Sequence, residues 1–218
     1  KEVLISSGSI ERPLVFGNND TPGVMLSSAA KEYLKVYGVL VGKKPLIFTN
    51  NDSGYETAIE FKKNGIEPVI LDTRKEPNSE IIDEAKNLGI QIKFSYVVVA
   101  AKGYKKVNAA EIAKISDNKN DLGTLENITC DCICVSGFWT PTIHLASQSG
   151  NKTKFDKDID AFVPGTSKQN EITLGAANGK FTLEETLKDS FDAGYELSKK
   201  ITKNDNKIPY PKVVEKNK

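Results

Sequence analysis

One short stretch of the chain has the spacing of a phosphate-binding loop. Thr49, Asn51 and Gly54 lie between an apolar run and a helical run, at the positions of the three glycines of a G-x-G-x-x-G fingerprint. In that fingerprint the first glycine makes a tight turn, the second lets a pyrophosphate approach the backbone, and the third lets the helix pack on the strand. Here only Gly54 is a glycine. Asp72 ends the next apolar run, where an acidic side chain would accept a hydrogen bond from a ribose hydroxyl.

Two interpretations of this loop remain open. It is either a pyridine-nucleotide site or a βαβ unit that has kept the packing glycine and lost phosphate binding, since Thr49 and Asn51 would crowd the pyrophosphate. The helix N-terminus still attracts anions, whereas Asp52 adds a negative charge beside it. The sequence therefore predicts weak binding, with a preference for NAD over NADP because Asp72 would repel a 2′-phosphate.

The other residues with reactive side chains are three cysteines and one histidine. Cys130, Cys132 and Cys134 alternate, which on a strand would place all three on one face. They form either a metal or redox site or, as we favour, buried apolar side chains in a reducing, cytoplasmic compartment. His144 either contacts a ligand or packs against its apolar neighbours. The sequence contains no C-x-x-C, G-x-S-x-G or H-E-x-x-H motif, so it predicts no catalytic residue and no metal site.

Alternating strands and helices surround the loop. The pattern predicts parallel strands joined by crossover helices, because connections of this length join parallel strands. The predicted strands lie near 45–48, 68–72 and 90–94. The predicted helices lie near 54–63 and 79–88. Short strands near 96–101, 104–107 and 111–115 then predict an antiparallel meander. The remaining predictions are strands at 3–5, 133–135, 159–163 and 172–174, helices at 27–37 and 183–201, an irregular stretch at 140–155, and a tail at 203–218. Thr182 and Glu185 have the spacing of a capping box before the last helix.

Composition and charge exclude several classes of partner. The 218 residues carry a formal net charge of +1, from 30 basic and 29 acidic side chains. A balanced charge gives no electrostatic footprint for nucleic acid or an anionic membrane surface. No apolar run approaches the roughly 18 residues of a membrane-spanning helix. We therefore expect neither nucleic acid nor a membrane as a partner.

Several short sequence motifs resemble those of a known family. Residues 6–13, S-S-G-S-I-E-R-P, resemble the A-T-G-A-x-x-R-P strand-end motif of two-dinucleotide-domain flavoproteins of the pyridine nucleotide-disulfide oxidoreductase type. More specifically, the chain resembles the α subunit of heterotetrameric sarcosine oxidase from residue 1 to about residue 202. The motifs that carry this second resemblance are E-R-P-L-V-F at 11–16, N-D-T-P-G-V-M-L at 19–26, T-N-N-D-S at 49–53, S-G-F at 136–138 and D-A-F-V-P at 160–164.

The resemblance implies an α/β fold with two domains. Residues 43–135 would form an inserted Rossmann-like NAD(P)-binding domain of three layers with an antiparallel meander. Residues 1–40 and 140–202 would form part of a second, FAD/NAD-binding-like domain. The intact fingerprint of that domain is absent from the chain, so the resemblance implies a central fragment of a longer oxidoreductase subunit.

The resemblance also implies cofactors, partners and further site residues. Ser7 and Gly8 would lie at the nucleotide of the FAD/NAD-binding-like domain, and Gly175 and Ala176 would replace a Gly-Asp segment that approaches the pyrophosphate in flavoprotein relatives. The full subunit would hold NAD, with FAD or FMN in the β subunit or at its interface, where a secondary or tertiary N-methyl amine is oxidised. The fragment alone would be inactive. The alternatives are a scaffold module with vestigial nucleotide sites and an independent NAD-dependent dehydrogenase.

Overall fold

The computed structural model describes residues 2–116, 118, 121–202 and 209. The strands are β1 Val3–Ile5, β2 Ser9–Glu11, β3 Val24–Leu26, β4 Pro45–Thr49, β5 Val69–Asp72, β6 Gln91–Phe94, β7 Tyr96–Lys102, β8 Ala109–Lys114, β9 Glu126–Thr129, β10 Cys132–Ser136, β11 Trp139–Pro141, β12 Lys152–Asp156, β13 Ala161–Thr166 and β14 Glu171–Thr173. The helices are α1 Ser27–Tyr37, α2 Ser53–Lys63, α3 Glu80–Asn87, α4 His144–Gln148 and α5 Leu183–Thr202, with a 3₁₀ helix at Gly175–Asn178.

The chain forms two compact units. The first unit contains the described residues up to Ile10 and from Trp139 to Thr202, and the second unit contains the described residues of Glu11–Phe138. The domain division at 43–135 stays a prediction. In the structure residues 11–40 pack within the second unit, because β3 pairs with β10 and α1 packs against α2.

The second unit is built on a five-stranded parallel sheet in the order β3-β10-β4-β5-β6. Every residue of β4 is buried, as expected for a central strand covered on both faces. Successive side chains of a strand point to opposite faces, so Leu46 and Phe48 contact the meander side while Ile47 contacts the helices. The unit therefore has three layers: the β7-β8-β9 meander, the parallel sheet, and helices α1 to α3.

The first unit contains short paired strands, helices α4 and α5, and the 3₁₀ helix. β1 pairs in parallel with β14, and β12 pairs with β13 in an antiparallel hairpin. The capping box predicted before α5 is confirmed: the Glu185 N–H donates to Thr182 Oγ1 at 3.2 Å, and the Thr182 hydroxyl donates to the Glu185 carboxylate at 2.9 Å. None of the helices within the described residues combines the length and apolar character needed to cross a membrane.

The α/β fold with its three parallel strands and adjoining meander is confirmed, but some elements differ from prediction. Residues 104–107 form no strand; they are the turn between β7 and β8, closed by the Asn108 N–H on the Lys102 carbonyl. The third strand of the meander is instead β9. The stretch 140–155, predicted to be irregular, contains α4 and the start of β12. The tail predicted at 203–218 lies outside the described residues except for residue 209.

Candidate functional site

The carboxyl ends of the parallel strands in the second unit form a row of buried polar residues. The register pairs Ser136 with Thr49, and Thr49 with Asp72. All three residues are completely buried. From β4 the chain proceeds to β5 and β6 on one side, whereas β10 and β3 lie on the other side, so the strand order reverses between β4 and β10. Ligands of open parallel sheets bind in the crevice at such a reversal.

Asn51 fills this crevice in the structure. Its side chain donates to the Ser136 carbonyl at 3.1 Å, and its Oδ1 accepts the Ser53 N–H at 2.9 Å. The Thr49 hydroxyl donates to the Asn51 carbonyl at 2.8 Å, and the Asn50 N–H donates to the Ser136 carbonyl at 3.3 Å. The loop therefore bridges β4 to β10 with its own polar groups, and Asn51 is only 7% exposed.

Asp72 is engaged by the protein itself. The Tyr55 hydroxyl donates to Asp72 Oδ2 at 2.7 Å, and the Arg74 guanidinium donates to both carboxylate oxygens at 2.8–3.2 Å. The Arg74 N–H also donates to Asp72 Oδ1, and the guanidinium forms an ion pair with Asp52 at 2.8 Å. Burial and the hydrogen bond to Asp72 raise the pKa of Tyr55, so this hydroxyl stays protonated and remains a donor.

Gly54 packs where a third fingerprint glycine would pack. A Cβ at this position would lie 2.7 Å from the Thr49 Cβ, so helix α2 approaches β4 more closely than any side chain allows. The structure thus brings Thr49, Asn51, Gly54 and Asp72 to one crevice. The polar groups that would receive a dinucleotide are occupied by neighbouring residues, so these residues do not fit NAD in this arrangement.

The four candidate residues of the first unit lie at the carboxyl ends of two neighbouring strands. β1 and β14 pair in parallel through Ile5 and Thr173, and the Leu174 N–H donates to the Ile5 carbonyl at 2.8 Å. Ser7 and Gly8 follow β1, while Gly175 and Ala176 follow β14. Both segments therefore leave the same edge of this pair of strands.

Local contacts hold each of these two segments in place. The Ser7 hydroxyl donates to the Thr142 carbonyl at 2.7 Å, and the Thr142 N–H donates to the Gly8 carbonyl at 3.0 Å. Gly8 has a φ of 75°, and nothing lies within 4 Å of the Cβ that another residue would place there. A ligand can therefore approach the backbone at Gly8 without meeting a protein atom at that position.

The Gly175 N–H is not an open donor. It donates to the carboxylate of Asp189 on α5 at 2.8 Å. A Cβ on Gly175 would lie 2.9 Å from Thr186 of the same helix, so this glycine serves the close approach of the 3₁₀ helix to α5.

The cysteines and the histidine occupy different surroundings. All three cysteines are free and buried, but they do not share one face: Cys132 and Cys134 pack with the helices, whereas Cys130 precedes β10 and packs with the meander. His144 is exposed at the start of α4 and is not packed. Within the part of the chain that the structure describes, no three His, Cys, Asp or Glu side chains could hold a metal ion.

Sequence reasoning missed two residues of the crevice in the second unit, Arg74 and Tyr55. Arg74 is one of only two arginines in the chain and lies two positions after Asp72, which is a signal that a search for a partner of that carboxylate could have used. Tyr55 carried no such signal, because its spacing in the sequence is that of any residue on the buried face of a helix.

Comparison with known proteins identifies relatives over most of the chain. It is 32% identical over 188 residues to sarcosine oxidase subunit alpha of Corynebacterium sp. (strain P-1), which covers 85% of this chain and 19% of the relative. It is 37% identical over 178 residues to sarcosine oxidase subunit alpha of Rhizobium meliloti (strain 1021), which covers 81% of this chain and 17% of the relative. The chain thus spans about a fifth of the length of these curated relatives.

Solved structures share the fold at low sequence identity. Lactococcus lactis thioredoxin reductase superposes with a TM-score of 0.71 at 16% identity, over 94% of this chain and 67% of that one. T. acidophilum thioredoxin reductase gives 0.67 at 17% identity, over 85% and 60%. L-proline dehydrogenase from P. horikoshii gives 0.61 at 20% identity, over 93% and 35%.

No family model matches the chain. The resemblance inferred from the short motifs is nevertheless confirmed by the curated relatives. Over the segment that it shares with them, the chain is a homologue of sarcosine oxidase alpha subunits.

Proposed function

We propose that this chain is a nucleotide-binding region of the alpha subunit of a multi-subunit flavoenzyme that oxidises a secondary or tertiary N-methyl amine. The relatives that support the proposal are named as alpha subunits of sarcosine oxidase. Because the chain spans about a fifth of their length, the amine chemistry belongs to the whole assembly. None of the similarities favours an independent NAD-dependent dehydrogenase.

The observation that carries the proposal is the shared edge of β1 and β14. Ser7 and Gly8 leave this edge beside Gly175 and Ala176, at the carboxyl ends of neighbouring parallel strands. This is where open parallel sheets bind nucleotides. We therefore assign NAD to this edge in the first unit, where Gly8 leaves space for its approach.

The flavins, by this proposal, lie outside the chain. By the resemblance, Ala176 stands where flavoproteins of the disulfide oxidoreductase type carry an aspartate, and the sequence contains no dithiol pair in a C-x-x-C motif. The FAD or FMN would be held by the β subunit or at its interface with this subunit, and the other subunits complete the assembly. Three free, buried cysteines are consistent with a reducing, cytoplasmic compartment.

A pair of glycine substitutions tests the nucleotide assignment. Gly8 and Gly38 both have a positive φ, 75° and 64°, and neither has an atom within 4 Å of an added Cβ. Gly8→Ala and Gly38→Ala therefore introduce the same kind of backbone strain, but only the first adds a methyl at the proposed site. We expect the amine oxidase assembly carrying Gly8→Ala to lose bound NAD on purification, measured by mass spectrometry of the released nucleotide, while Gly38→Ala retains it. Equal NAD content in the two variants would overturn the assignment.

The amine chemistry has its own test. The chain alone is expected to reduce neither oxygen nor an artificial electron acceptor with sarcosine or another N-methyl amine, and the complete assembly is expected to do so. Amine oxidation by the chain alone would contradict the placement of the flavins outside it.

A further inference from the structure

We infer that the protein's own side chains fill the crevice of the second unit. Asn51 occupies the position that a dinucleotide's phosphate would take, and Arg74 covers the position of its ribose, so the unit is a structural module that binds no dinucleotide. This inference concerns a different crevice from that of the proposed function and does not rest on it. It follows from the disagreement between the fingerprint spacing and the contacts of the residues at those positions.

The phosphate position is taken by the amide of Asn51. The first N–H groups of a helix have no partner within the helix, and a pyrophosphate at such a loop binds them. In α2 the Ser53 N–H already donates to Asn51 Oδ1. The amide is held in this orientation by its donor bond to the Ser136 carbonyl on the neighbouring strand. A phosphate would have to displace a buried side chain that bridges two strands.

The ribose position is closed in the same way. Asp72 has no exposed surface, and its oxygens accept bonds from the Tyr55 hydroxyl and the Arg74 guanidinium. A hydrogen bond to the Asp72 carboxylate is charge-assisted whether its donor is Arg74 or a ribose hydroxyl. A neutral ribose hydroxyl, however, does not balance the buried negative charge, so its exchange for Arg74 would break a buried ion pair and would be unfavourable.

The charges of the cluster also disfavour a dinucleotide. Asp52 and Asp72 are two anions around one cation, Arg74, so the cluster has a net negative charge where a pyrophosphate would bring more. The Asp52–Arg74 ion pair joins the N-cap residue of α2 to a residue two positions beyond the end of β5. Two sets of contacts therefore fix the start of α2 on the sheet. The first joins Asn51 to Ser136 and Ser53, and the second joins Asp52, Tyr55, Asp72 and Arg74.

A titration of the ¹⁵N-labelled full chain with NAD, followed by NMR, tests the inference directly. We expect no saturable shift of the backbone amides of Asn51, Ser53, Gly54 and Arg74 up to about 5 mM NAD, a concentration that would reveal a dissociation constant in the millimolar range. Saturable shifts of these amides would overturn the inference. Shifts at Ser7 or Gly8 report on the other site, so failure of the proposed function and failure of this inference give different spectra.

Matched substitutions at the two ends of α2 test the role of Asn51. Asn64 ends the same helix, and its side chain donates to the Glu60 carbonyl at 2.9 Å. Asn51→Gly removes the side-chain amide that fills the crevice, whereas Asn64→Gly makes the same chemical change away from the crevice. We expect the Ser53 amide to exchange with solvent at least tenfold faster in Asn51→Gly, and NAD to shift residues of the loop in this variant only.

A third variant keeps the test decisive if Asn51→Gly does not fold. Asn51→Asp retains an oxygen acceptor for the Ser53 N–H and loses the donor to Ser136. It is expected to keep Ser53 protected from exchange and to show no NAD-dependent shift. Unchanged Ser53 exchange in a folded Asn51→Gly variant, or NAD binding by Asn51→Asp, would show that the Asn51 side chain does not close the crevice.

Discussion

Gly54 at the start of α2 packs directly against Thr49 at the end of β4: a Cβ on Gly54 would lie 2.7 Å from the Thr49 Cβ and 2.8 Å from its hydroxyl oxygen. Thr49 is completely buried at the end of β4, and its hydroxyl bonds to the Asn51 carbonyl. The glycine therefore sets how closely α2 approaches the sheet, and this packing role is separate from phosphate binding.

The first prediction follows from that contact. Gly54→Ala should destabilise the protein by about 2–3 kcal/mol, because an added methyl in a filled space forces the strand or helix to shift. Gly194→Ala is the control, since Gly194 lies within α5 and nothing is within 4 Å of an added Cβ. There the alanine should stabilise by about 0.5–1 kcal/mol through helix propensity. Urea unfolding of both variants is the measurement, and equal effects would refute the packing argument.

Arg74 is the cation on which the buried carboxylate of Asp72 depends. Arg74→Ala should cost about 3–5 kcal/mol of unfolding free energy, because it leaves a buried charge without its partner. Asp52→Asn removes only the outer ion pair, whose carboxylate is 42% exposed, and should cost less than about 1 kcal/mol. Thermal or chemical denaturation will compare the two. Similar losses of unfolding free energy in the two variants would mean that Arg74 stabilises the protein through its ion pair with Asp52 and not through its contacts with Asp72.

Glu11 provides a cap that helix α1 lacks in its own sequence. Glu11 is 4% exposed, and its Oε2 accepts the Ser28 N–H at 2.8 Å, whereas the N-cap residue Leu26 offers no side-chain acceptor. Glu11→Ala should therefore destabilise by about 1–2 kcal/mol and increase hydrogen exchange in the first turn of α1. Glu11→Gln keeps one acceptor oxygen and should retain most of the stability; equal losses in both variants would count against capping.

Particular elements show why some features could be predicted from sequence and others could not. The apolar runs of β4 and β5 and the three- and four-residue periodicity of α2 are local signals, so their positions were predictable. The pairing of β10 with both β3 and β4 joins residues far apart in the chain, and no local pattern specifies it. For the same reason the spacing located Asn51 and Asp72, but not their contacts with Ser136 and Arg74, which depend on tertiary structure.

The last prediction concerns alkaline pH and the buried thiol of Cys130. Burial raises the pKa of Cys130 from 9.0 to about 12. The folded state therefore holds this proton more tightly than the unfolded chain does. The stability that the protonated Cys130 thiol contributes is therefore fully present below about pH 9, and it is lost progressively as the pH rises towards about 12. At 1.36 kcal/mol per unit of pKa, the contribution is on the order of 4 kcal/mol.

Cys130→Ala isolates this contribution from the lysines and tyrosines that titrate in the same range. The variant loses some packing, which lowers its stability by an amount that does not change with pH. The difference in unfolding free energy between the unaltered protein and Cys130→Ala, measured by urea denaturation at fixed ionic strength, should stay constant up to pH 9. Above pH 9 the unaltered protein should lose stability more steeply than the variant, because its unfolded state ionises one more thiol than the unfolded state of the variant, which keeps Cys132 and Cys134. Two curves that remain parallel from pH 7 to 11 would show that the Cys130 thiol titrates normally in the folded protein.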